Sequence, residues 1–417
     1  MKLCPVFFLC LLLLPGQVSW GRSATLSDSA NSISNELNAS PNDINQLLST
    51  LEQENKSLIP NTPLTPYLQK FKTKKNKLHE DYGLNFGMSY TPLIEYSKLG
   101  QPHENASGGN YEFFGRYKPK SLQHSKTTFG IKLEDNHAYS TIPPGEFSGQ
   151  INSAIKTVSG YIPFNLAVTE LWLQQSLIPN KIAYRLGKID LTSIMNSYAF
   201  DSRQFYYLSN VFTSHPATAV PSKALGGVLG VSLGPHLYSS IGAVDANGEE
   251  TTSGFSTLHK GKFYTAVEMG YRDIITNPQS DNYHVFLWHV AAQPEKELLS
   301  DQGLSIVLQK NINSKFIPFI KGDWNRGHVT TFNKLIISGF GLQHPFLGSM
   351  GLWGLGAGWA ELSEQQGVNQ LIVETYYRLQ LTPNSQLTPN LELIKALPVN
   401  QGQHLVTVFN LRYRFAA

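Results

Sequence analysis

Apolar and polar residues alternate with a period of two through most of the chain after Leu84. The clearest segments are 84–91, 111–118, 127–134, 263–272, 370–381 and 405–415. Successive side chains of a β-strand point to opposite faces, so each segment predicts a strand with one apolar and one polar face. We count about seventeen such segments of roughly 8–12 residues, separated by turn signals such as Asn277-Pro278 and Pro383-Asn384.

The predicted strands are antiparallel neighbours, since no helical pattern separates them. Their polar faces consist mainly of Gly, Ser, Thr, Asn and Gln, and Tyr or Phe often stands near a strand end, as in outer-membrane barrels. Because lipid tolerates no unpaired strand edge, this pattern predicts an all-β fold, a closed transmembrane antiparallel β-barrel. The roughly 330 residues from Leu84 onward favour 16 strands, with 18 as the alternative, around a water-filled lumen. An even strand count means that at least one candidate is wrong, and the weakest are 153–164 and 281–290.

Composition supports this interpretation over a soluble sandwich. Charged residues make up 15% of the chain, against roughly 25% in typical soluble proteins, whereas aromatic residues reach 11%. The outer face of a soluble sandwich usually carries many more charges than these polar faces do. The formal net charge of +3 predicts no nucleic-acid partner.

The first 21 residues have the layout of a secretory signal peptide. Lys2 precedes an apolar run from Leu3 to Leu14, and Ser19 and Gly21 are small residues before a predicted cut after Gly21. The run is too short for a membrane anchor, and no later segment has 18 consecutive apolar residues. Both cysteines of the chain lie in this segment, so we expect neither disulfides nor thiolate metal sites in the exported protein.

Residues 22–80 form a separate polar segment ahead of the barrel domain, which we place at 81–417. Ile44, Leu47, Leu48 and Leu51 recur at helical spacing and predict a short amphipathic helix within 43–57. A cluster of five lysines then follows between residues 70 and 77. We interpret the cluster as the solvated face of a linker, with a periplasmic contact as the alternative.

Several ordered blocks resemble the carbohydrate-selective porins of the OprB type. The middle blocks are Leu186 to Asp190, Asn196 to Asp201, Phe205, Asn210, Phe212, Pro216 and Pro221. The late blocks are Val373 to Arg378, Gln380 to Pro383, Leu387 to Pro389 and Arg412 to Phe415, and Asn105 to Gly109 is an early one. The resemblance extends from about Leu84 to Phe415. It implies a 16-stranded barrel that lets sugars diffuse across the bacterial outer membrane.

Sugar passage requires side chains that exchange hydrogen bonds with hydroxyl groups, and aromatic rings that face the apolar side of a sugar. If the apolar faces meet lipid, a set of charged and aromatic residues points into the lumen: Glu170, Trp172, Arg185, Glu374, Arg378, Glu392, Arg412 and Arg414. The alternative is that Glu and Arg side chains pair across strands and only stiffen the wall.

The chain leaves regular alternation for about 30 residues after the strand that contains Arg185. Lys188, Asp190, Asp201 and Arg203 lie at or near this stretch and complete the candidate pore-lining set. A loop of this length either folds inward and narrows the pore or remains exposed at the surface. The sequence leaves both options open.

The function that these features predict is passive, carbohydrate-selective diffusion through an outer-membrane porin. A general porin without sugar preference is the alternative within the same class. A barrel lipid hydrolase would need a Ser/His pair on the lipid-facing side near one rim, and we identify no nucleophile elbow and no such pair. We therefore predict no enzyme activity, no cofactor and no metal site. Sugars as solutes and outer-membrane lipid are the expected partners, and a homotrimer is an open alternative because porins of this size commonly trimerise.

Overall fold

The computed structural model describes residues 37, 40–53, 56–98, 104–122, 126–179, 181–274, 277–313, 315–346, 348–364, 367–395, 397 and 405–417. All of them belong to one unit of the chain, Asn31–Ala417. The predicted signal peptide, 1–21, lies outside the described residues.

Sixteen antiparallel strands make up most of the described chain. They are β1 Leu84–Tyr96, β2 Asn105–Tyr117, β3 Thr128–Ala138, β4 Phe164–Ile178, β5 Ile182–Ile189, β6 Ala224–Ser232, β7 Leu237–Asp245, β8 Phe263–Arg272, β9 Asn282–Val290, β10 Asp301–Gln309, β11 Phe316–Asn325, β12 Phe332–Gln343, β13 Gly351–Leu362, β14 Asn369–Thr382, β15 Ser385–Lys395 and β16 Leu405–Ala416. The helices are α1 Ile44–Glu52, α2 Thr65–Tyr82, α3 Phe147–Gln150, α4 Asn210–Thr213 and α5 Phe255–Leu258, with short 3-10 turns at Lys120–Leu122, Pro144–Glu146, Leu191–Ser193 and Pro294–Lys296.

The sheet closes on itself because β1 pairs with both β2 and β16. At this seam Tyr90 lies opposite Phe415 and Leu93 lies opposite Arg412. The final Ala417 extends the pairing by exchanging two backbone hydrogen bonds of 3.0 Å with Met88. Every other strand pairs with its neighbours in sequence, which confirms the predicted closed barrel of 16 antiparallel strands.

The structure decides between the two weakest strand candidates. The segment predicted at 281–290 is β9. The segment predicted at 153–164 is wrong, since β4 begins only at Phe164 and the preceding residues are irregular. Gly160 and Tyr161 both have positive φ angles, 75° and 56°, which interrupt an extended backbone.

The apolar residues that alternate along each strand point to the outside of the barrel, and the polar residues between them point into the lumen. On β16, Leu411 points outward with 44% of its surface exposed, while Arg412 points inward and is 1% exposed. Aromatic side chains gather on the outer wall where strands meet turns, and Phe316, Phe340 and Trp353 contact one another there. Such a rim is typical of the aromatic girdles that lie at membrane interfaces.

The segment before β1 contains two helices. α1 is shorter than its predicted range, and Asp43 caps it by accepting a hydrogen bond from the backbone N–H of Asn45 at 2.9 Å. The lysine cluster does not lie in a linker but within α2, which ends at Gly83 in the left-handed conformation. Among the described residues, no helix has the length and apolarity needed to span a membrane.

Replacing Leu411 with Arg tests the outward assignment. Leu411 lies near the middle of β16, so a charge there should lower the free energy of unfolding by about 2–4 kcal/mol in a lipid refolding titration. Leu405→Arg, on the same outward face but at the first residue of β16, is the matched control and should cost about 0–1 kcal/mol. Equal costs at the two positions would contradict the assignment.

Candidate functional site: the barrel lumen

The two ends of the barrel differ in their connections. At the end where β1 begins, here called the turn end, the connections are short, and that between β14 and β15 is only Pro383-Asn384. At the opposite loop end, two long connections, 139–163 and 190–223, fold into the lumen. The connection 190–223, here called the inner loop, is buried along most of its length. The sequence left open whether this loop folds into the pore or stays at the surface, and in the structure it folds into the pore.

An aromatic cluster stabilises the inner loop. The rings of Tyr207 and Phe212 stack with centroids 4.5 Å apart, and Tyr198 contacts Phe319 of β11 at 5.0 Å. Burial raises the pKa of both Tyr198 and Tyr207 well above the ordinary value, so their hydroxyls remain neutral donors. The Tyr198 hydroxyl donates to the carbonyl of Phe212 at 2.6 Å, which closes the loop on itself.

Inward charges of the wall bind the backbone of the inner loop. Glu374 accepts hydrogen bonds from the N–H groups of Leu208 and Ser209 at 2.5 and 3.1 Å. Arg412 donates to the carbonyl of Tyr206 at 2.9 Å and also to that of Arg203. Buried loop backbone needs such partners, because an unpaired N–H or C=O in the interior costs about 1–3 kcal/mol.

A second set of charges pairs at the ends of the inner loop and within the neighbouring wall. Lys223 Nζ lies 2.5 Å from Asp190 and 3.5 Å from Glu170, and Lys132 Nζ lies 3.1 Å from Glu112. Burial alone would raise the pKa of Asp190, but the neighbouring Lys223 ammonium outweighs burial and holds that pKa below its usual value. Lys223 thus joins the two ends of the inner loop and ties them to β4, and Lys132 links β3 to β2.

The other predicted residues are held in different ways. Lys188 donates to three backbone carbonyls, those of Val168, Glu250 and Thr252, at 2.9, 2.6 and 2.6 Å. The remaining contacts are Asp201 to His215 at 3.3 Å, Arg203 to Glu134 at 3.8 Å, and Glu392 to Asn410 at 2.8 Å.

Trp172 and Arg185 form a stacked pair on β4 and β5. The Arg185 guanidinium lies 4.0 Å from the indole centroid, and its Nε donates to Gln174 at 3.0 Å. Gly130 on β3 makes room for the indole, because a Cβ there would lie 2.2 Å from the Trp172 ring. Arg185 Nη1 also donates to Asp43 at 2.7 Å, and Asp43 lies at the start of α1. The start of α1 therefore lies over the Trp172–Arg185 pair on its lumen side.

α1 occupies the lumen near the turn end. Its apolar residues Ile44, Leu47 and Leu48 are buried in the same cluster as the inner loop. Its polar contacts reach two further strands, since Arg116 of β2 donates to Asn45 at 2.6 Å and Asn85 of β1 donates to Glu52 at 3.1 Å. The amphipathic pattern predicted this helix but gave no indication that the barrel surrounds it.

A cavity of about 220 Å³ remains between α1, the inner loop and the wall of β14 and β16. Its polar and aromatic lining includes Gln46, Gln53, Phe205, Tyr206, Arg378, Gln380, Gln386 and Arg414. The Arg414 guanidinium lies 4.3 Å from the Phe205 ring centroid, and that of Arg378 lies 5.3 Å from the Tyr206 ring centroid. Arg414 Nη2 and Gln386 Oε1 have no hydrogen-bond partner in the described part of the chain. The sequence had indicated the two arginines, whereas Tyr206 and the glutamines carry no motif.

One motif with catalytic associations does occur. Gly230 to Gly234 has the spacing Gly-x-Ser-x-Gly, contrary to our expectation that the chain holds no such elbow. Ser232 ends β6, and its hydroxyl donates to the carbonyl of Gly234 at 2.8 Å as the chain enters a hairpin to β7. A nucleophile elbow connects a strand to a helix, so this run is a hairpin turn. Within the described residues, no group of three or more His, Asp or Glu side chains is arranged to hold a metal ion.

Comparison with known proteins gives a family and a fold. The model of the family "Carbohydrate-selective porin, OprB family" matches residues 143–296, which include the inner loop. This match confirms the resemblance seen in the sequence. The high-pH structure of Pseudomonas putida OprB aligns with a TM-score of 0.69 at 12% identity, covering 84% of this chain and 97% of that one. The low-pH structure of the same protein aligns with a TM-score of 0.52 at 10% identity, covering 87% and 99%. No curated protein matches the chain.

Replacing Asp43 with Asn tests whether the ion pair with Arg185 holds α1 in the lumen. Asn still caps the helix, but the buried guanidinium loses its anionic partner, and breaking a buried pair costs about 3–5 kcal/mol. We expect faster amide hydrogen exchange over 44–52 and a larger single-channel conductance. Glu52→Gln, which preserves an acceptor for Asn85, is the control and should change neither quantity. Unchanged exchange in the Asp43→Asn variant would contradict the role of the pair.

Proposed function

We propose that this chain, a carbohydrate-selective porin by its match to the OprB family over residues 143–296, passes sugars through the cavity between α1, the inner loop and the β14–β16 wall. The proposed diffusion is passive and follows the solute's own concentration gradient. The observation that carries the proposal is the lining of this cavity, in which guanidinium and amide groups stand beside aromatic rings.

The lining matches the chemistry of a sugar. Amides both donate and accept hydrogen bonds, and guanidinium groups donate several. A sugar hydroxyl can donate to the amide oxygen or accept from either group. The rings of Phe205 and Tyr206 offer apolar surface to the C–H face of a pyranose. Pockets for drug-sized ligands measure roughly 300–1,000 Å³, so a cavity of about 220 Å³ suits a smaller solute such as a monosaccharide.

The contacts are suited to transport rather than retention. Arg378 is oriented by its hydrogen bond of 3.2 Å to the carbonyl of Phe205, while the rest of its guanidinium lies beside the cavity. A channel needs solute binding that favours entry yet remains weak enough for release. A few neutral-to-charged hydrogen bonds meet that condition.

We assign different roles to the pore-lining candidates. Arg378 and Arg414 contact the solute. The others hold the inner loop, α1 or the wall in place through the contacts described above: Glu170, Trp172, Arg185, Lys188, Asp190, Asp201, Arg203, Glu374, Glu392 and Arg412. In this assignment the second group determines the diameter of the passage.

Placement in the membrane follows from the barrel. Short connections of outer-membrane barrels face the periplasm, so we propose that the turn end, α1 and α2 lie on the periplasmic side of the bacterial outer membrane.

We also propose a homotrimer, from the size of the barrel alone. Native mass spectrometry of the extracted protein measures its stoichiometry.

Neutralising the two arginines tests the sugar path. No carboxylate belongs to the described residues that line the cavity, so Arg378→Gln and Arg414→Gln should each lower the preference for anions in planar bilayers. Each should also reduce monosaccharide flux several-fold relative to an amino acid of similar size in liposome swelling. Lys296→Gln, with the same charge change at the loop end, is the control. A general porin would show altered ion selectivity with an unchanged sugar-to-amino-acid ratio.

A further inference from the structure

α2 lies against the outer, lipid-facing wall of the barrel at the turn end. Gly83 joins α2 to β1 with a φ of 76°, which reverses the chain. As a result the ring of Phe71 meets that of Phe86 edge to face, with centroids 6.0 Å apart. Phe86 points outward on β1 and contacts Phe113, which points outward on β2.

The apolar stripe of α2 is wider than its contact with the barrel. Leu68, Phe71 and Lys75 face the protein, and the same stripe continues to residues that remain exposed. The exposed members are Leu64, Tyr67, Leu78 and Tyr82, and Tyr67 is 71% exposed. A helix with such a stripe beside a membrane wall lies at the boundary between headgroups and acyl chains.

The other faces of α2 carry four exposed lysines and, in the last turn, the exposed Glu80 and Asp81, so their net charge is positive. Lys70, Lys72, Lys74 and Lys77 are all exposed. Lys75 differs from them, because burial lowers its pKa and it faces Glu52. Lys120 adds a further exposed ammonium group in the β2–β3 turn, which adjoins α2 through a hydrogen bond of 2.9 Å from the N–H of Lys118 to the carbonyl of Gly83.

An apolar groove of about 390 Å³ begins at the residue on which α2 packs. Its walls are outward-facing side chains of β1 to β4: Leu84, Phe86, Phe113, Tyr117, Phe129, Ile131 and Leu171. Gly115 forms part of its floor, where an added Cβ would come within 3.3 Å of Ile131 and 3.7 Å of Phe86. The missing side chain leaves a depression in a surface that faces hydrocarbon.

We propose that α2 and this groove together bind one anionic phospholipid of the periplasmic leaflet. An acyl chain fills the groove over Gly115, and the phosphate lies among the lysines of α2 and Lys120. Hydrocarbon surrounds the groove, so an acyl chain is available to it at all times. The exposed ammonium groups of α2 and Lys120, at the turn end where the groove begins, select a negative headgroup by charge complementarity. This site is separate from the sugar path and does not depend on it.

Native mass spectrometry of the full-length protein, released from nanodiscs of equimolar phosphatidylglycerol and phosphatidylcholine, tests the site. The wild-type barrel should retain one phosphatidylglycerol in preference to phosphatidylcholine. Changing Lys70, Lys74 and Lys77 together to Gln should weaken that preference by about tenfold or more, because each lysine near an anionic surface contributes several-fold. These three side chains are exposed, so the variant tests binding without disturbing the barrel.

A matched triple variant carries the same charge change at the loop end, at Lys98, Lys260 and Lys296, and should retain the wild-type preference. Gly115→Leu should abolish the retained lipid whatever its headgroup, since it fills the groove. The proposal is overturned if the wild type retains both lipids equally, if the α2 triple variant behaves like the wild type, or if both triple variants lose the preference alike. Preferential retention of lipopolysaccharide, or occupation of the face by a second copy of the chain, would also overturn it. Sugar flux in the α2 variant should be unchanged.

Discussion

The absence of any free strand edge is the constraint on which this structure depends. In hydrocarbon every backbone N–H and C=O must find a partner within the protein, and only closure of the sheet supplies partners to the first and last strands. β1 and β16 meet that requirement by pairing along the seam from Ser89 to Tyr96, with Ala417 adding two hydrogen bonds beyond the aromatic residue at position 415. A closed sheet of sixteen strands necessarily encloses a wide lumen, and the rest of the molecule is arranged within and around it.

The inner loop and α1 narrow the lumen, and charged side chains of the wall hold them there through hydrogen bonds. Glu374 and Arg412 on neighbouring parts of the sheet bind opposite polarities of the inner loop, N–H groups and carbonyls respectively. Arg185 of the wall holds α1 through the side chain of its capping residue, by donating a hydrogen bond to the Asp43 carboxylate. The ion pair of Lys223 with Asp190 joins the two ends of the inner loop, and wall pairs such as Lys132 with Glu112 stiffen the frame that holds these segments. A cavity of about 220 Å³ is therefore what remains after packing.

The sequence predicted the wall well because a strand's side chains alternate strictly, and lipid and water impose opposite demands on its two faces. It failed at 153–164, where alternation persisted by chance but Gly160 and Tyr161 adopt positive φ angles. The apolar residues of α2 recur at helical spacing, but the lysines between them dominate the segment. For this reason the segment was interpreted as a linker, although it is a helix. Strand alternation indicated Arg378 and Arg414, but neither the position of α1 nor the rest of the cavity lining was predictable, since both depend on contacts between residues more than a hundred positions apart.

The position of α1 inside the lumen also constrains the order in which contacts can form during folding. Asp43 and Arg185 are separated by 142 residues, and α1 precedes the first strand. Contacts of such separation form late, because the intervening chain must first be ordered. That contact can form only after β5 has joined the sheet, although α1 precedes every described strand in the chain. Pairing of β1 with β16 therefore closes the barrel around a segment that lies before it in sequence but inside it in space.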